Sequence, residues 1–219
     1  MSVQRIAALD IGGTRIKACL FENETLLQSA EADTPAKEGA QALLKTAGDL
    51  LEPFLPFEAV GVSTAGQVDP DAGTIRYANE NLPGYTGTDV RGYFQRRFSV
   101  PCTVMNDAYA AALGEGAYGA ARGHEDYLCI TYGTGIGGGM FLNGSAYYGK
   151  GGSANPMIGG LILHPEQHTA SDPFSGTYER CASTTALVAL AQKADPDMTN
   201  GRKIFTAIGR PEIRAALEQ

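Results

Sequence analysis

The segment 7–21, AALDIGGTRIKACLF, combines residue types that can bind phosphate and a metal ion. Gly12 and Gly13 allow a tight turn whose amide N–H groups have no side chain in front of them, and Thr14 adds a hydroxyl donor. Asp10 lies at the end of the preceding apolar run, where a carboxylate can hold Mg²⁺ beside bound phosphates. An ordinary hairpin turn with a surface aspartate explains the same residues. A second motif is therefore needed to distinguish a phosphate-binding loop from a plain turn.

The glycine cluster YGTGIGGGMF at 132–141 is that second motif. Its G-x-G-x-x-G spacing is not a dinucleotide-binding fingerprint, because a strand pattern follows where a helix is required. A P-loop sequence occurs nowhere in the chain. Two loops of the strand–turn–strand type instead predict an ATP clamp, in which this glycine cluster forms the second loop. The alternative is two unrelated glycine-rich hairpins.

The third candidate is Asn106–Asp107, where the apolar strand pattern PCTVMND meets a helix pattern rich in alanine. An aspartate at such a junction commonly caps the helix. The same position suits a carboxylate that takes the proton of an attacking hydroxyl in phosphoryl transfer, with Asn106 as the cap and Asp107 as the catalytic base. A helix N-terminus is expected to lower the pKa of Asp107 and keep it ionised.

Strand and helix patterns alternate along the chain, which predicts an α/β protein. A hairpin opens the chain, and a second strand–glycine turn follows the small-residue stretch near 116–124. We therefore expect two lobes with a cleft, 1–118 with the first phosphate loop and 119–219 with the second. Helical spacing continues to the last residues without a stop signal, so the second lobe is expected to be incomplete at its C-terminus.

Composition narrows the class of protein. The 219 residues are 43% hydrophobic and carry 17 basic against 24 acidic side chains, which argues against nucleic acid as a partner. Four scattered cysteines without a C-x-x-C pair favour reduced thiols and a cytoplasmic location. The sequence contains neither a signal peptide pattern nor an apolar run of about 20 residues, so no membrane association is expected.

Four motifs resemble those of the ROK family (repressor, open reading frame, kinase), and they follow one another in the family's order. They are LDIGGTRIK, GVSTAGQVDPDAGTIRYANENLPGY, VMNDAYAAALGE and YGTGIGGGMFLNG. The resemblance implies the actin-like ATPase fold of hexokinase type, with two ribonuclease-H-like lobes and a central cleft. It also implies a glucokinase-like or β-glucoside-kinase-like enzyme that uses ATP and Mg²⁺ to phosphorylate a sugar hydroxyl, usually the 6-hydroxyl. Homodimers are common in the family.

Site residues follow from the resemblance position by position. Asp107 matches the catalytic base. The sugar-binding positions are Gly66, Asn81, Asn106, Asp107 and Glu179. The nucleotide-binding positions are Asp10, which is also the expected Mg²⁺ ligand, Gly12, Gly13, Thr14, Lys17, Gly133, Thr134 and Gly135. For Asn79 a plain turn residue is the favoured interpretation, and for Glu179 an ordinary acid in the first turn of a helix is the alternative.

The chain departs from the family pattern at three places. Met157 and Gly160 stand where a glutamate and a histidine usually reach the sugar. The cysteine cluster that binds zinc in many members is absent, and His164 and His168 alone do not replace it, so no zinc site is expected. The family's closing glycine-rich segment and last helix are also expected to be lacking. The alternative to a sugar kinase is therefore a degenerate, non-catalytic sugar-binding or regulatory relative, or an inactive fragment.

Overall fold

The computed structural model describes residues 4–149 and 157–218. It divides into two compact units, with a boundary between Ala110 and Ala111. Unit 1 contains the described residues up to Ala110 together with Gly149, and unit 2 contains 111–148 and 157–218. The lobes expected at 1–118 and 119–219 stay a prediction.

Unit 1 is an α/β unit built on a five-stranded sheet of order β3-β2-β1-β4-β7. Its elements are β1 (Arg5–Ile11), β2 (Arg15–Glu22), β3 (Thr25–Asp33), α1 (Ala40–Leu51), β4 (Ala59–Thr64), β5 (Gln67–Val68), β6 (Ile75–Tyr77), α2 (Val90–Phe98), β7 (Cys102–Asn106) and the start of α3 (Asp107–Tyr118). The first three strands pair antiparallel, whereas β1, β4 and β7 are parallel neighbours. The parallel strands therefore end at one edge of the sheet.

Alternating burial explains the opening hairpin. Every second residue of β1 is buried, beginning at Ala7, and the same holds for β2 from Ile16 to Leu20. Helix α1 adds an apolar stripe that contains Leu43, Leu44 and Leu51, spaced so that one helix face packs on the sheet. The predicted hairpin is confirmed, since its turn leaves both apolar sets on the core side.

Unit 2 has a three-stranded antiparallel sheet and a group of helices. Its strands are β8 (Tyr127–Tyr132), β9 (Ile136–Leu142) and β10 (Ser145–Ala146), and its helices are the end of α3, α4 (Tyr178–Ala182), α5 (Thr184–Ala194), α6 (Gly201–Thr206) and α7 (Pro211–Leu217). The sheet order is β10-β9-β8, so β8 is an edge strand among the described residues. The last three helices enclose a small core of Ala191, Met198, Ile204 and Ile213.

In the part of the chain that the structure describes, every helix is too short or too polar to cross a membrane.

Tyr85 provides a test of the unit 1 core at high pH. Its side chain is fully buried, and its hydroxyl lies 3.0 Å from the buried hydroxyl of Thr64. Burial raises the pKa of Tyr85 to about 12, and the hydrogen bond with Thr64 offsets only part of that effect. Because tyrosine in an unfolded chain has a pKa of about 10, the folded state resists ionisation of this phenol.

The stability from this resistance is complete below about pH 10 and is lost as the pH rises towards about 12. We expect Tyr85→Phe to lower the free energy of unfolding by about 1 kcal/mol at pH 7. Its stability should then fall less steeply above pH 10 than that of the wild type. Urea unfolding at pH 7, 10 and 11 measures both effects, with the exposed Tyr77→Phe as control. Equal slopes in all three proteins would contradict the prediction.

Candidate functional site

Among the described residues, Thr34 holds the first phosphate loop, which is the turn at Gly12–Thr14. Gly12 donates its amide to the carbonyl of Arg15 at 3.0 Å, which closes the turn between β1 and β2. Thr34, just after β3, donates its amide to the Thr14 carbonyl at 2.9 Å and its hydroxyl to the Gly12 carbonyl at 2.7 Å. Gly13 and Thr14 are exposed, and within residues 4–149 and 157–218 their amides donate to no protein group. The loop therefore presents free donors on a fixed backbone.

Asp10 lies at the exposed carboxyl end of β1, beside this loop. It lies opposite Lys17 on β2 and opposite Ser63 on β4. Ser63 donates its hydroxyl to Asp10 Oδ1 at 3.1 Å, which orients the carboxylate. The sheet thus places one anionic and one cationic side chain next to the loop, as expected of residues that contact a metal-bound phosphate.

Asn106 and Asp107 lie at the same edge of the sheet, where β7 passes directly into α3. Asn106 Oδ1 accepts the amide of Ala108 at 3.0 Å, so Asn106 caps the helix. Its Nδ2 group donates to the Gly66 carbonyl and to Asp107 Oδ1, both at 2.9 Å. Gly66, Asn106 and Asp107 are therefore brought together, and the described residues leave Asp107 Oδ2 without a partner.

The pKa of Asp107 differs from the expectation of a lowered value. Asp107 is reached by solvent, yet desolvation by the surrounding protein raises its pKa, and repulsion from the Asp10 carboxylate adds to the rise. Hydrogen bonds from the Ala108 amide and the Asn106 side chain act in the opposite direction and only partly compensate. The prediction of a lowered pKa was wrong, because it counted the helix terminus and left out tertiary desolvation.

Asn81 lies near the first phosphate loop. A Cβ placed on Gly13 would lie 3.9 Å from Asn81 Cβ, and the Asn81 side chain is exposed without a protein partner among the described residues. Asn79 instead accepts the amide of Asn81 at 3.1 Å through its side-chain oxygen, as a turn residue does. The structure thus agrees with a turn role for Asn79 and leaves the side-chain amide group of Asn81 available to a ligand.

The second phosphate loop joins β8 to β9 in unit 2. Gly133 and Thr134 are exposed, Gly135 is half-buried, and Gly133 donates its amide to the Gly135 carbonyl at 2.9 Å. Glu179 is half-buried on α4, and its Oε2 accepts the Ile136 amide at 2.8 Å. Glu179 therefore contacts the loop directly, which its expected sugar contact alone does not explain.

The residues that depart from the family pattern lie in the same unit. Met157 is half exposed, and Gly160 ends a single helical turn at Ile158–Gly160; residues 155 and 156 of this motif lie outside the described residues. His164 pairs with Glu166, and His168 contacts the carbonyl of Ser175.

Within residues 4–149 and 157–218, no group of three or more histidine, cysteine, aspartate or glutamate side chains is arranged so that it could hold a metal ion.

Sequence reasoning missed the residues that support the two loops. Thr34 supports the first loop, Ser63 orients Asp10 beside it, and Thr184 and Thr185 support the second loop. Each acts across a sheet or between distant segments, so local patterns carry no signal for it.

Two cavities lie elsewhere. One of about 530 Å³ lies between α1, α2 and the loop 84–89, and one of about 470 Å³ lies along β8. None of the predicted site residues lines either of them.

Comparison with known proteins yields consistent matches. A family model described as "ROK family" matches residues 6–218. An uncharacterized protein of Clostridium perfringens is 35% identical over 206 residues, which cover 91% of this chain and 66% of that protein. A glucokinase of Streptomyces coelicolor is 30% identical over 203 residues, which cover 92% of this chain and 63% of the enzyme. The chain therefore spans about two thirds of the length of these relatives.

Solved structures agree. A ROK family glucokinase of Streptomyces griseus, in complex with glucose and AMPPNP, has a TM-score of 0.80 at 29% identity and covers 97% of this chain and 74% of its own. A ROK hexokinase of Thermus thermophilus has a TM-score of 0.75 at 32% identity, with 97% and 72% covered. The expected fold class, the α/β fold of hexokinase-type actin-like ATPases, is confirmed.

Proposed function

The chain belongs to the ROK family, and on that premise we propose that it is an ATP-dependent sugar kinase that phosphorylates a hydroxyl of a hexose or glucoside. The proposal rests on one observation above all: at the carboxyl edge of three parallel strands, Asp107 lies close enough to Asp10, the acid beside the first phosphate loop, for the two carboxylates to repel each other. Ligands of open α/β sheets bind at this edge. The 6-hydroxyl is the proposed acceptor.

Asp107 is the proposed general base. Its Oδ1 is held by the Asn106 side chain and the Ala108 amide, which leaves Oδ2 for the sugar hydroxyl. The hydroxyl oxygen forms a bond to the γ-phosphorus of ATP as the bond to the bridging oxygen of ADP breaks. Asp107 takes the hydroxyl proton, and ADP leaves with the electron pair of the broken bond. Fixing these groups supplies most of the catalysis in phosphoryl transfer.

The phosphate groups have proposed partners in the glycine loops. The free amides of Gly13 and Thr14 suit phosphate oxygens, and Lys17 supplies a positive charge nearby. The loop 133–135 is the proposed second contact. On the sugar side, Asn81 and the Gly66–Asn106 pair are proposed to bind hydroxyls. Glu179 is a further proposed sugar contact.

Asp10 fits a magnesium ion by its chemistry. It is an exposed carboxylate beside the phosphate loop, and the Ser63 hydroxyl fixes its orientation. Hard oxygen ligands of this kind suit Mg²⁺, which would neutralise phosphate charge when bound. The closeness of Asp10 to Asp107 raises the pKa of Asp107, so a cation at Asp10 would also offset that repulsion.

The raised pKa of Asp107 predicts the acid limb of the pH profile. The base has to be ionised to accept a proton, so kcat/KM falls as Asp107 becomes protonated. Because desolvation and Asp10 raise this pKa, we expect the midpoint of the acid limb above the value of about 3.9 for an ordinary aspartate. Initial rates at limiting sugar and saturating ATP, measured from about pH 3 to about pH 9, give this midpoint. An acid limb centred at or below the ordinary value would contradict the assignment.

Met157 and Gly160 favour a second candidate, a non-catalytic sugar-binding relative. An exposed thioether and a glycine offer no hydrogen bonds of the kind that a carboxylate and an imidazole give to sugar hydroxyls. A coupled assay of ADP release over a panel of hexoses, N-acetylated hexosamines and β-glucosides separates the two candidates. ATP-dependent formation of a sugar phosphate supports the kinase. Sugar binding without any product supports the second candidate.

A further inference from the structure

Two threonines at the start of α5 hold the backbone of the second phosphate loop. The Thr184 amide donates to the Gly133 carbonyl at 3.0 Å. The Thr185 hydroxyl donates to the Thr134 carbonyl at 2.7 Å, although Thr185 is otherwise exposed. Consecutive carbonyls of the loop are therefore tied to the first turn of one helix.

Glu179 holds the other end of the same loop. Its Oε2 accepts the Ile136 amide at 2.8 Å. The carboxylate comes this close because Gly135 has no side chain: a Cβ there would lie 2.3 Å from Oε2. Gly159 packs equally closely from another side, since its Cβ would lie 2.3 Å from the Ile136 carbonyl oxygen and 3.3 Å from Glu179 Cβ. The carboxylate thus fits a space that only glycine leaves open.

These bonds use the carbonyls of the loop and one amide at its end. The amides of Thr134 and Gly135 donate to no group within the described residues. Their direction is fixed by the carbonyls and by the Ile136 amide, because each peptide unit is planar. Backbone amides that are oriented before a ligand arrives bind anions better than amides that must first be ordered.

We propose that Glu179 and Thr185 are positioning residues of the nucleotide site, which set the geometry of the second phosphate loop without touching the nucleotide. This inference rests on the proposed function, because it takes the loop as a contact of ATP. It gives Glu179 a role beyond a sugar contact. Oε2 holds the loop, while Oε1 accepts no hydrogen bond from the described residues and stays free for another ligand.

Two pairs of variants test the inference. Thr185→Val removes the hydroxyl with little change of shape, and Thr185→Ser keeps it. Glu179→Leu removes the acceptor, and Glu179→Gln keeps an oxygen for the Ile136 amide. We expect the Kd for ATP to rise about three- to tenfold in Thr185→Val and about tenfold or more in Glu179→Leu. The serine and glutamine variants should stay within about twofold of the wild type.

Calorimetric titration with ATP gives the Kd, and steady-state kinetics give separate KM values for ATP and for sugar. A rise in the Kd and KM for ATP in the first variant of each pair, with rescue in the second, supports the inference. If Glu179 only contacts sugar, Glu179→Leu raises the KM for sugar and leaves the Kd for ATP unchanged. That result overturns the inference for Glu179. Unchanged ATP binding in Thr185→Val overturns the inference for Thr185. Because this side chain is exposed, we expect the variant to fold normally.

The outcome is also separable from that of the proposed function. A wild-type protein that binds ATP but phosphorylates no sugar overturns the proposed function, and the Kd values still decide on the positioning residues. A wild-type protein that does not bind ATP overturns both.

Discussion

Replacement of Asp107 by asparagine is expected to lower kcat for sugar phosphorylation by about 10²- to 10⁴-fold, the range typical of the loss of a general base. Asparagine keeps an oxygen for the bonds from the Asn106 side chain and the Ala108 amide, so the local geometry should survive. ATP affinity should change little, because the variant leaves both phosphate loops intact. Initial rates at saturating substrates and calorimetric titration with ATP measure the two quantities.

Stability supplies the control within the same variant. The pKa of Asp107 is raised in the folded state. Ionisation of Asp107 therefore disfavours folding once the pH exceeds the pKa that this residue has in the unfolded chain. Asp107→Asn should therefore unfold at pH 7 at the same urea concentration as the wild type or a higher one. Asp71→Asn, in an exposed hairpin loop, is the matched variant and should retain wild-type rates. An Asp107→Asn enzyme with more than about a tenth of the wild-type rate would remove the base assignment.

The second large effect is expected on stability, at Gly66. Its φ of +97° lies in the region that side chains rarely adopt, and a Cβ would lie 2.8 Å from the Tyr77 carbonyl oxygen. Backbone rather than a flexible side chain blocks the space, so relief would require moving β6. We expect Gly66→Ala to lower the free energy of unfolding by about 2–4 kcal/mol. The Tm should fall by roughly 5–15 °C.

Gly87 is the matched control for this substitution. Its φ is +83°, but a Cβ there would meet nothing within 4 Å. Gly87→Ala therefore bears the conformational cost alone, about 1–2 kcal/mol, and the difference between the two variants isolates the clash. Thermal unfolding of both proteins, checked by urea titration, gives that difference. Equal losses in the two variants would show that the approach of Tyr77 is not limiting.

The opening hairpin and the Asn106–Asp107 junction were predictable because their signals are local. Alternating apolar residues define the strands, a glycine pair defines the turn, and a capping residue precedes a helix pattern. The helix is one residue longer at its start than its pattern indicates, so Asp107 is its first residue. Local patterns thus identified the elements that carry the first glycine turn and the proposed base, Asp107.

Features that depend on distant pairing were not predictable. Thr34 reaches the first loop because β3 returns alongside β2, and Ser63 reaches Asp10 through the parallel register of β1 and β4. The bond between Glu179 and the Ile136 amide joins residues 43 positions apart. The pKa of Asp107 was predicted in the wrong direction for the same reason. The desolvation that raises this pKa comes from the surrounding unit, whereas the helix end that would lower it is a local feature.

The two bonds from Thr34 to the first phosphate loop have a thermodynamic consequence. Because they fix the Gly12 and Thr14 carbonyls in the free protein, the conformational entropy of this turn is lost during folding rather than on ligand binding. If ATP binds here as proposed, it meets a turn that is already ordered, and we expect the entropy of association to reflect released water and ions more than chain ordering. On the proposed function, the loop would act as a rigid receptor whose shape is set when the sheet forms.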